Sequence, residues 1–174
     1  YWILGIECTL LEVQKLAYFL ERAFLSDNAD NPLDLRFQAN KFGPYAVRLT
    51  HLLNALDGSY LHSDKRLADA GPMDVIRFDD SKKDVVAAYL GSEGKQYLEA
   101  LEATETIIDG FQSPLGMELL ATVDWLITHE GVEATREGIV DGLAKWPGGP
   151  EAGARKVKLF DDRLIDLALQ RLDA

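Results

Sequence analysis

The sequence has a single cysteine, Cys8, so an intrachain disulfide is excluded, and that usage leads to the expectation of a reducing, cytoplasmic setting. Long apolar runs are missing too. The longest stretch without Asp, Glu, Lys or Arg is eight residues, as in 49–56, far below the roughly 20 that cross a bilayer. Basic residues are scarce: 18 Lys and Arg stand against 29 Asp and Glu, a net charge of −11. Direct binding to nucleic acid needs an excess of cations to displace counterions from phosphates, so DNA is not expected as a direct ligand. A basic surface on another protein is the complementary partner, beside the plainer reading of an acidic surface that only keeps the chain soluble. No glycine-rich phosphate loop, G-x-S-x-G elbow or dinucleotide fingerprint occurs. His51, His62 and His129 are far apart in sequence, and position 133, where a zinc-protease helix beginning at His129 needs a second histidine, is Glu. Cys8 has no base motif around it. The expectation is therefore no catalytic residue, no metal, no cofactor and no enzymatic activity.

What is present is a composition close to that of globular proteins, 47% hydrophobic and 27% charged over 174 residues, enough for one domain spanning 1–174. Residue 1 is Tyr rather than Met, which reads as a piece of a longer polypeptide. Thr9 and Glu12 form a capping-box signature ahead of Val13, Leu16, Ala17, Leu20 and Phe24, predicting a helix over 10–25 that the polar stretch 26–31 closes. Residues 33–38 alternate in polarity and are expected as a strand, with 60–62 and 75–78 as its partners in a small sheet. Pro44 is read as the first residue of a helix carrying Ala46, Leu49, Leu53 and Leu56, which Gly58 ends. Ser81, Ser92 and Ser113 are expected N-caps, the last followed by Pro114. Residues 115–129 carry an apolar face broad enough for a core helix, which Gly131 stops. A further helix over 133–145 precedes the Trp146 to Pro150 break, and 160–172 is amphipathic through Leu164, Leu167, Ala168 and Leu172. The fold class is mainly α, with about six to seven helices and a small minor β-sheet. A winged-helix-like C-terminal half is the alternative arrangement for the last segments.

Acidity is concentrated. Residues 88–142 hold eleven carboxylates against Lys95 and Arg136, so most of the surplus charge lies in under a third of the chain. On a helical wheel Glu99, Glu102, Glu105 and Asp109 fall within about a 120° arc beside the apolar arc of Tyr97, Leu101, Ile108 and Phe111. Carboxylates three or four residues apart on a helix stand about 5–6 Å from one another, comparable to the step between phosphates on one nucleic-acid strand. A solvated helix face is the plainer meaning of such a row. The stretch 40–45 reads either as a recognition turn presenting Lys41 and Tyr45 or as a turn whose aromatics pack against the first helix.

Four ordered segments, 9–20 (TLLEVQKLAYFL), 35–41 (LRFQANK), 43–49 (GPYAVRL) and 111–123 (FQSPLGMELLATV), together resemble the C-terminal, toxin-binding domains of DarG antitoxins. More distantly they resemble Panacea and SocA-like antitoxin domains. The motif residues match at Gln14, Lys15, Tyr18, Phe19, Gly43, Pro44 and Tyr45. The resemblance implies a cytoplasmic module that binds a DarT-like DNA ADP-ribosyltransferase toxin and blocks its single-stranded-DNA site by imitating nucleic acid. It also implies that the glycohydrolase macrodomain of full-length relatives lies outside this sequence, which is why no hydrolase activity is expected of these residues. Glu99, Glu102, Glu105 and Asp109 are then the candidate toxin-binding face. Alternatives are a Panacea-like antitoxin for another toxin, a DNA-associated regulator of winged-helix type, and a small hydrolase whose site has no sequence signature.

Overall fold

A computed structural model describes residues 7–26 and 31–173. Most of the polar stretch expected to close the first helix, residues 27–30, falls outside that range. Among the described residues the chain forms eight α-helices and five short strands, in the order β1 (Cys8–Thr9), α1 (Leu10–Ser26), β2 (Gln38–Asn40), β3 (Gly43–Tyr45), α2 (Val47–Leu56), β4 (Leu61–His62), β5 (Val75–Phe78), α3 (Lys83–Leu90), α4 (Gln96–Ile108), α5 (Pro114–Thr128), α6 (Arg136–Ala144), α7 (Pro150–Leu159) and α8 (Asp162–Leu172). The protein is mainly α with minor antiparallel β, as its periodicity predicts. No described residue after Phe78 is in a strand, so the C-terminal half has no wing.

Helix α1 starts where the sequence says it should. The Thr9 backbone N–H donates to Glu12 Oε2 at 2.7 Å and the Glu12 N–H returns to Thr9 Oγ1 at 3.3 Å, satisfying two donors of the first turn. The next two, on Leu10 and Leu11, reach the carbonyls of Asp74 and Pro72, which ties the helix to the segment leading into β5. There β5 is the middle strand, with Cys8 opposite Ile76 and Leu61 opposite Phe78.

Helix α5 is the axis of the molecule. Every residue from Met117 to Leu126 is buried, and a helix apolar on nearly all sides must be enclosed by others. Tyr18 and Phe19 of α1, Ile139 and Leu143 of α6, and Ile165 and Ala168 of α8 pack with it in the larger core. A smaller core of Leu35, Ala46, Leu49, Leu53, Leu67 and Ile76 lies on the other side of α1. Wedged between the two, α1 buries more than one stripe. Leu11, Glu12, Gln14, Lys15, Tyr18, Phe19, Glu21 and the expected Phe24 are its buried residues, while the expected Val13, Leu16, Ala17 and Leu20 are half-buried.

Several expected boundaries change. Pro44 does not open a helix: it lies in β3 opposite Ala39, in a two-stranded ribbon with Asn40 opposite Gly43, where its missing N–H costs no ladder bond on the outer edge. Residues 33–37 form no strand, because Asp34 and Arg36 take positive φ of 42° and 59°, which breaks extended pairing, and Gln38 pairs with Tyr45 in the ribbon rather than with β4 or β5. Ser92 caps nothing, since α4 begins at Gln96. Asp79 rather than Ser81 caps the short 3-10 turn before α3, accepting from the Ser81 N–H. Thr135 caps α6, which begins three residues later than expected. Residues 150–159, read as the far side of a break, form α7 with Pro150 in its first turn. In α8 Ile165 joins the expected Ala168 as a buried residue, Leu164 and Leu172 are partly buried against the core, and Leu167 faces solvent.

Candidate functional site

The acidic candidates lie on α4. Its inward residues Ala100, Thr104 and Ile108 are buried, and Tyr97 meets Phe24 of α1 edge-on at 5.6 Å. The helix is thereby fixed along α1 with its opposite side in water. Glu99, Glu102 and Glu105 occupy that exposed side, and Asp109 is exposed at the C-terminal cap. None of the four forms an ion pair among the described residues. By contrast, two carboxylates counted in the same acidic segment are not surface charges at all. Glu118 and Asp124 of α5 are buried and paired with bases from elsewhere in the chain, so the external field of the segment is weaker than its composition indicates.

These pairs form two polar centres inside the helical core. In one, Glu118 accepts from Arg155 at 2.6 and 3.1 Å and from Lys156 at 2.7 Å. Burial pushes the Glu118 carboxyl up, but the Arg155 hydrogen bonds and the Lys156 charge outweigh it and hold the group below its ordinary value. The Lys156 ammonium, fully buried, is lowered by that burial although Glu118 opposes the change. Its charge also lies over the Trp146 ring, 5.0 Å from the centroid. In the other centre Asp124 takes a 2.6 Å hydrogen bond from the Tyr18 hydroxyl and two from Arg22, at 2.9 and 2.8 Å. Burial first, then the Asp124 charge, raise the Tyr18 phenol. Sequence reasoning missed Glu118, Asp124, Arg155 and Lys156 as a set. The available signal was two carboxylates inside an otherwise apolar helix, which must be paired if that helix is buried.

Five of the seven motif residues, Gln14, Lys15, Gly43, Pro44 and Tyr45, meet at the β2–β3 ribbon, while Tyr18 and Phe19 lie in the larger core. Gln14 holds both backbone groups of Ala46, accepting from its N–H at 2.9 Å and donating to its carbonyl at 3.1 Å. Lys15 donates to the Pro44 carbonyl at 2.6 Å. Burial, then the neighbouring Lys156 charge, bring the Lys15 ammonium down from 10.5 to about 7, with Glu118 opposing. Gly43, at φ 93°, passes so close to α5 and α1 that a Cβ would lie 3.0 Å from Thr122 Oγ1 and 3.4 Å from Lys15 Cε. The ribbon's tip is seated by the Trp146 indole, which donates to the Asn40 carbonyl at 2.9 Å.

Lys41 is exposed, and Tyr45 is half-buried with its hydroxyl 2.9 Å from Thr50 Oγ1. Both line a cavity of about 440 Å³ between α1, the ribbon, α2 and residues 67–72. The aromatics of the turn do not simply pack on α1: the Phe42 ring lies under the Arg155 guanidinium of α7, 4.8 Å from its centroid. The ribbon packs on α5 and α1, and α4 packs on α1. The structure thus brings Lys41 and Tyr45 to one cavity and the α4 carboxylates to a separate exposed face.

Fold and site together define a mainly helical domain with an ion-paired core, a partly apolar cavity at its motif residues and an acidic helix face. No family model matches the chain. It is related to curated proteins named DNA ADP-ribosyl glycohydrolase. One, from Thermus aquaticus, is 38% identical over 131 residues, covering 75% of this chain and 34% of that protein. Those of Mycobacterium bovis and Mycobacterium tuberculosis are each 29% identical over 168 residues, 93% of this chain and 43% of theirs. The chain spans less than half the length of these relatives. The expectation of a chain without enzymatic function is corrected by this finding: the proteins aligned with most of its length carry an enzyme's name. No described helix is long and apolar enough to cross a membrane.

Proposed function

We propose that the chain is the toxin-binding part of a DarG-type antitoxin, in a protein with DNA ADP-ribosyl glycohydrolase activity. Its partner is a DarT-like DNA ADP-ribosyltransferase, whose single-stranded-DNA site it occupies. The observation that carries this reading is the exposed row of Glu99, Glu102 and Glu105 on α4, continued by Asp109, on a helix whose other side is anchored to the core. Fixed carboxylates at helical spacing present negative charge at about the interval of phosphates along one strand. The kinship with DNA ADP-ribosyl glycohydrolases supports a setting of DNA ADP-ribosylation.

The test is to titrate the chain into a DarT reaction on single-stranded DNA. Stoichiometric loss of modification is expected, and modification that continues at excess chain removes the reading. A second reading, favoured by the name of the relatives, is that these residues themselves take part in removing ADP-ribose from DNA. Incubating the chain alone with DNA already ADP-ribosylated separates the two: release of ADP-ribose supports the second reading, inhibition of fresh modification the first.

A further inference from the structure

The cavity beside the motif residues reverses the character of the rest of the molecule. In a chain of net charge −11, its lining contains no Asp or Glu, while it includes Lys15, Lys41, three amides and two hydroxyls. The remaining wall is apolar, from Leu10, Leu11, Leu53, Leu67 and Pro72. At about 440 Å³ it falls within the size of small-molecule sites, roughly 300–1,000 Å³.

Some of its polar groups are already committed. Gln14 is spent on Ala46, Lys15 on the Pro44 carbonyl, and Tyr45 and Thr50 on each other. Three are not. The Asn54 side chain makes no hydrogen bond among the described residues, the Asn40 amide uses only its oxygen, toward the Lys41 N–H, and the Lys41 ammonium has only the Phe42 ring, 5.3 Å away. A cation and two amides left open around a partly apolar cavity match a ligand with an anionic end, a hydrogen-bonding edge and a flat apolar body.

We propose that this cavity binds a nucleoside monophosphate, with its phosphate at Lys41, its polar edges at Asn40 and Asn54, and its base and sugar against the wall formed by Leu53, Leu67 and Pro72. A free nucleotide is the occupant rather than a strand of nucleic acid, because the acidic surface outside the cavity repels a polyanion. The proposal stands apart from toxin binding and is tested on the chain alone.

The experiment is a nuclear magnetic resonance titration of the labelled chain with AMP, ribose 5-phosphate, inorganic phosphate and a 5′-phosphorylated oligonucleotide. AMP is expected to move the amides of 40–45, 50–54 and 67–72 and to bind more tightly than the other three. Lys41→Ala and Asn54→Leu are each expected to weaken AMP at least about tenfold, the range of a lost charge-assisted or buried hydrogen bond. Lys41 is exposed, so that variant keeps the fold. The proposal is overturned if millimolar AMP leaves these amides unmoved, if both variants bind AMP as the parent does, or if inorganic phosphate or the oligonucleotide binds as well as AMP.

Discussion

Glu118 shows how a single side chain can be indispensable without being favourable. Its carboxylate is enclosed by Arg155 and Lys156 in the middle of the core. The attraction of such a pair roughly offsets the cost of taking both charges out of water, whereas stranding one of them is expensive. Glu118→Leu, which strands the fully buried Lys156 ammonium, is therefore expected to destabilise by about 3–5 kcal/mol, while Glu118→Leu combined with Lys156→Met is expected to recover much of that loss; urea unfolding of the single and double variants measures both. Lys15 adds a pH dependence. Folding lowers its ammonium from 10.5 to about 7, so between those values the unfolded chain binds the extra proton and stability rises with pH. The Cys8 thiol, raised from 9.0 to about 12 by burial and then by Glu12, opposes that rise above pH 9, because there the folded chain holds the thiol proton, and the two contributions offset each other up to pH 10.5. Unfolding free energy is thus expected to climb from pH 7 to 9, by at most about 1.4 kcal/mol per unit. Lys15→Met should flatten that climb, and a slope retained in this variant would assign it to another group.

At the scale of elements, the ribbon depends on Gly43. Its φ of 93° and the 3.0 Å approach of a Cβ to Thr122 Oγ1 are independent penalties, so Gly43→Ala is expected to cost on the order of 1–3 kcal/mol and to disturb the Lys15 contact with Pro44. At Ser113, whose hydroxyl accepts from the Gly116 N–H at 3.0 Å, Ala should cost only about 1 kcal/mol. Thermal melts of the two variants rank them. The same contrast explains what was legible in the sequence. The starts of α1 and α5 were readable because a capping box and a Ser-Pro pair act within four residues. Pro44 misled because proline suits a helix start and an edge strand equally well, and the choice is made by Ala39 and Thr122, distant in sequence. The strand expected over 33–38 failed at Asp34 and Arg36, whose positive φ accompanies the exposed ion pairs of Asp34 with Arg36 and Arg48. Helix α7 was hidden by the Gly-Gly-Pro approach that also caps it. Of the site, the carboxylates of α4 could be placed on one face from spacing alone. The cavity could not, since its wall is assembled from four separated segments.

At the scale of the whole molecule, what matters is where the negative charge remains after folding. Glu118 and Asp124 are neutralised inside, and Asp141, Asp162 and Asp166 are paired on the surface with Lys145 or Arg136. Glu99, Glu102, Glu105 and Asp109 have no such partners among the described residues, and they project from a helix held along α1. Unpaired charge of one sign is what steers a basic partner, and its effect falls on the association rate and its salt dependence more than on the dissociation rate. Replacing the four by Gln or Asn leaves the buried face of α4 untouched, so the fold should persist, which circular dichroism checks. Association with a DarT-like toxin, followed by surface plasmon resonance at two ionic strengths, is expected to slow by about tenfold or more at low salt, and the difference from the parent chain should shrink as salt screens the charges. If the quadruple variant associates at the parental rate with the parental salt slope, α4 does not face the toxin, and the interface must be sought elsewhere on the molecule.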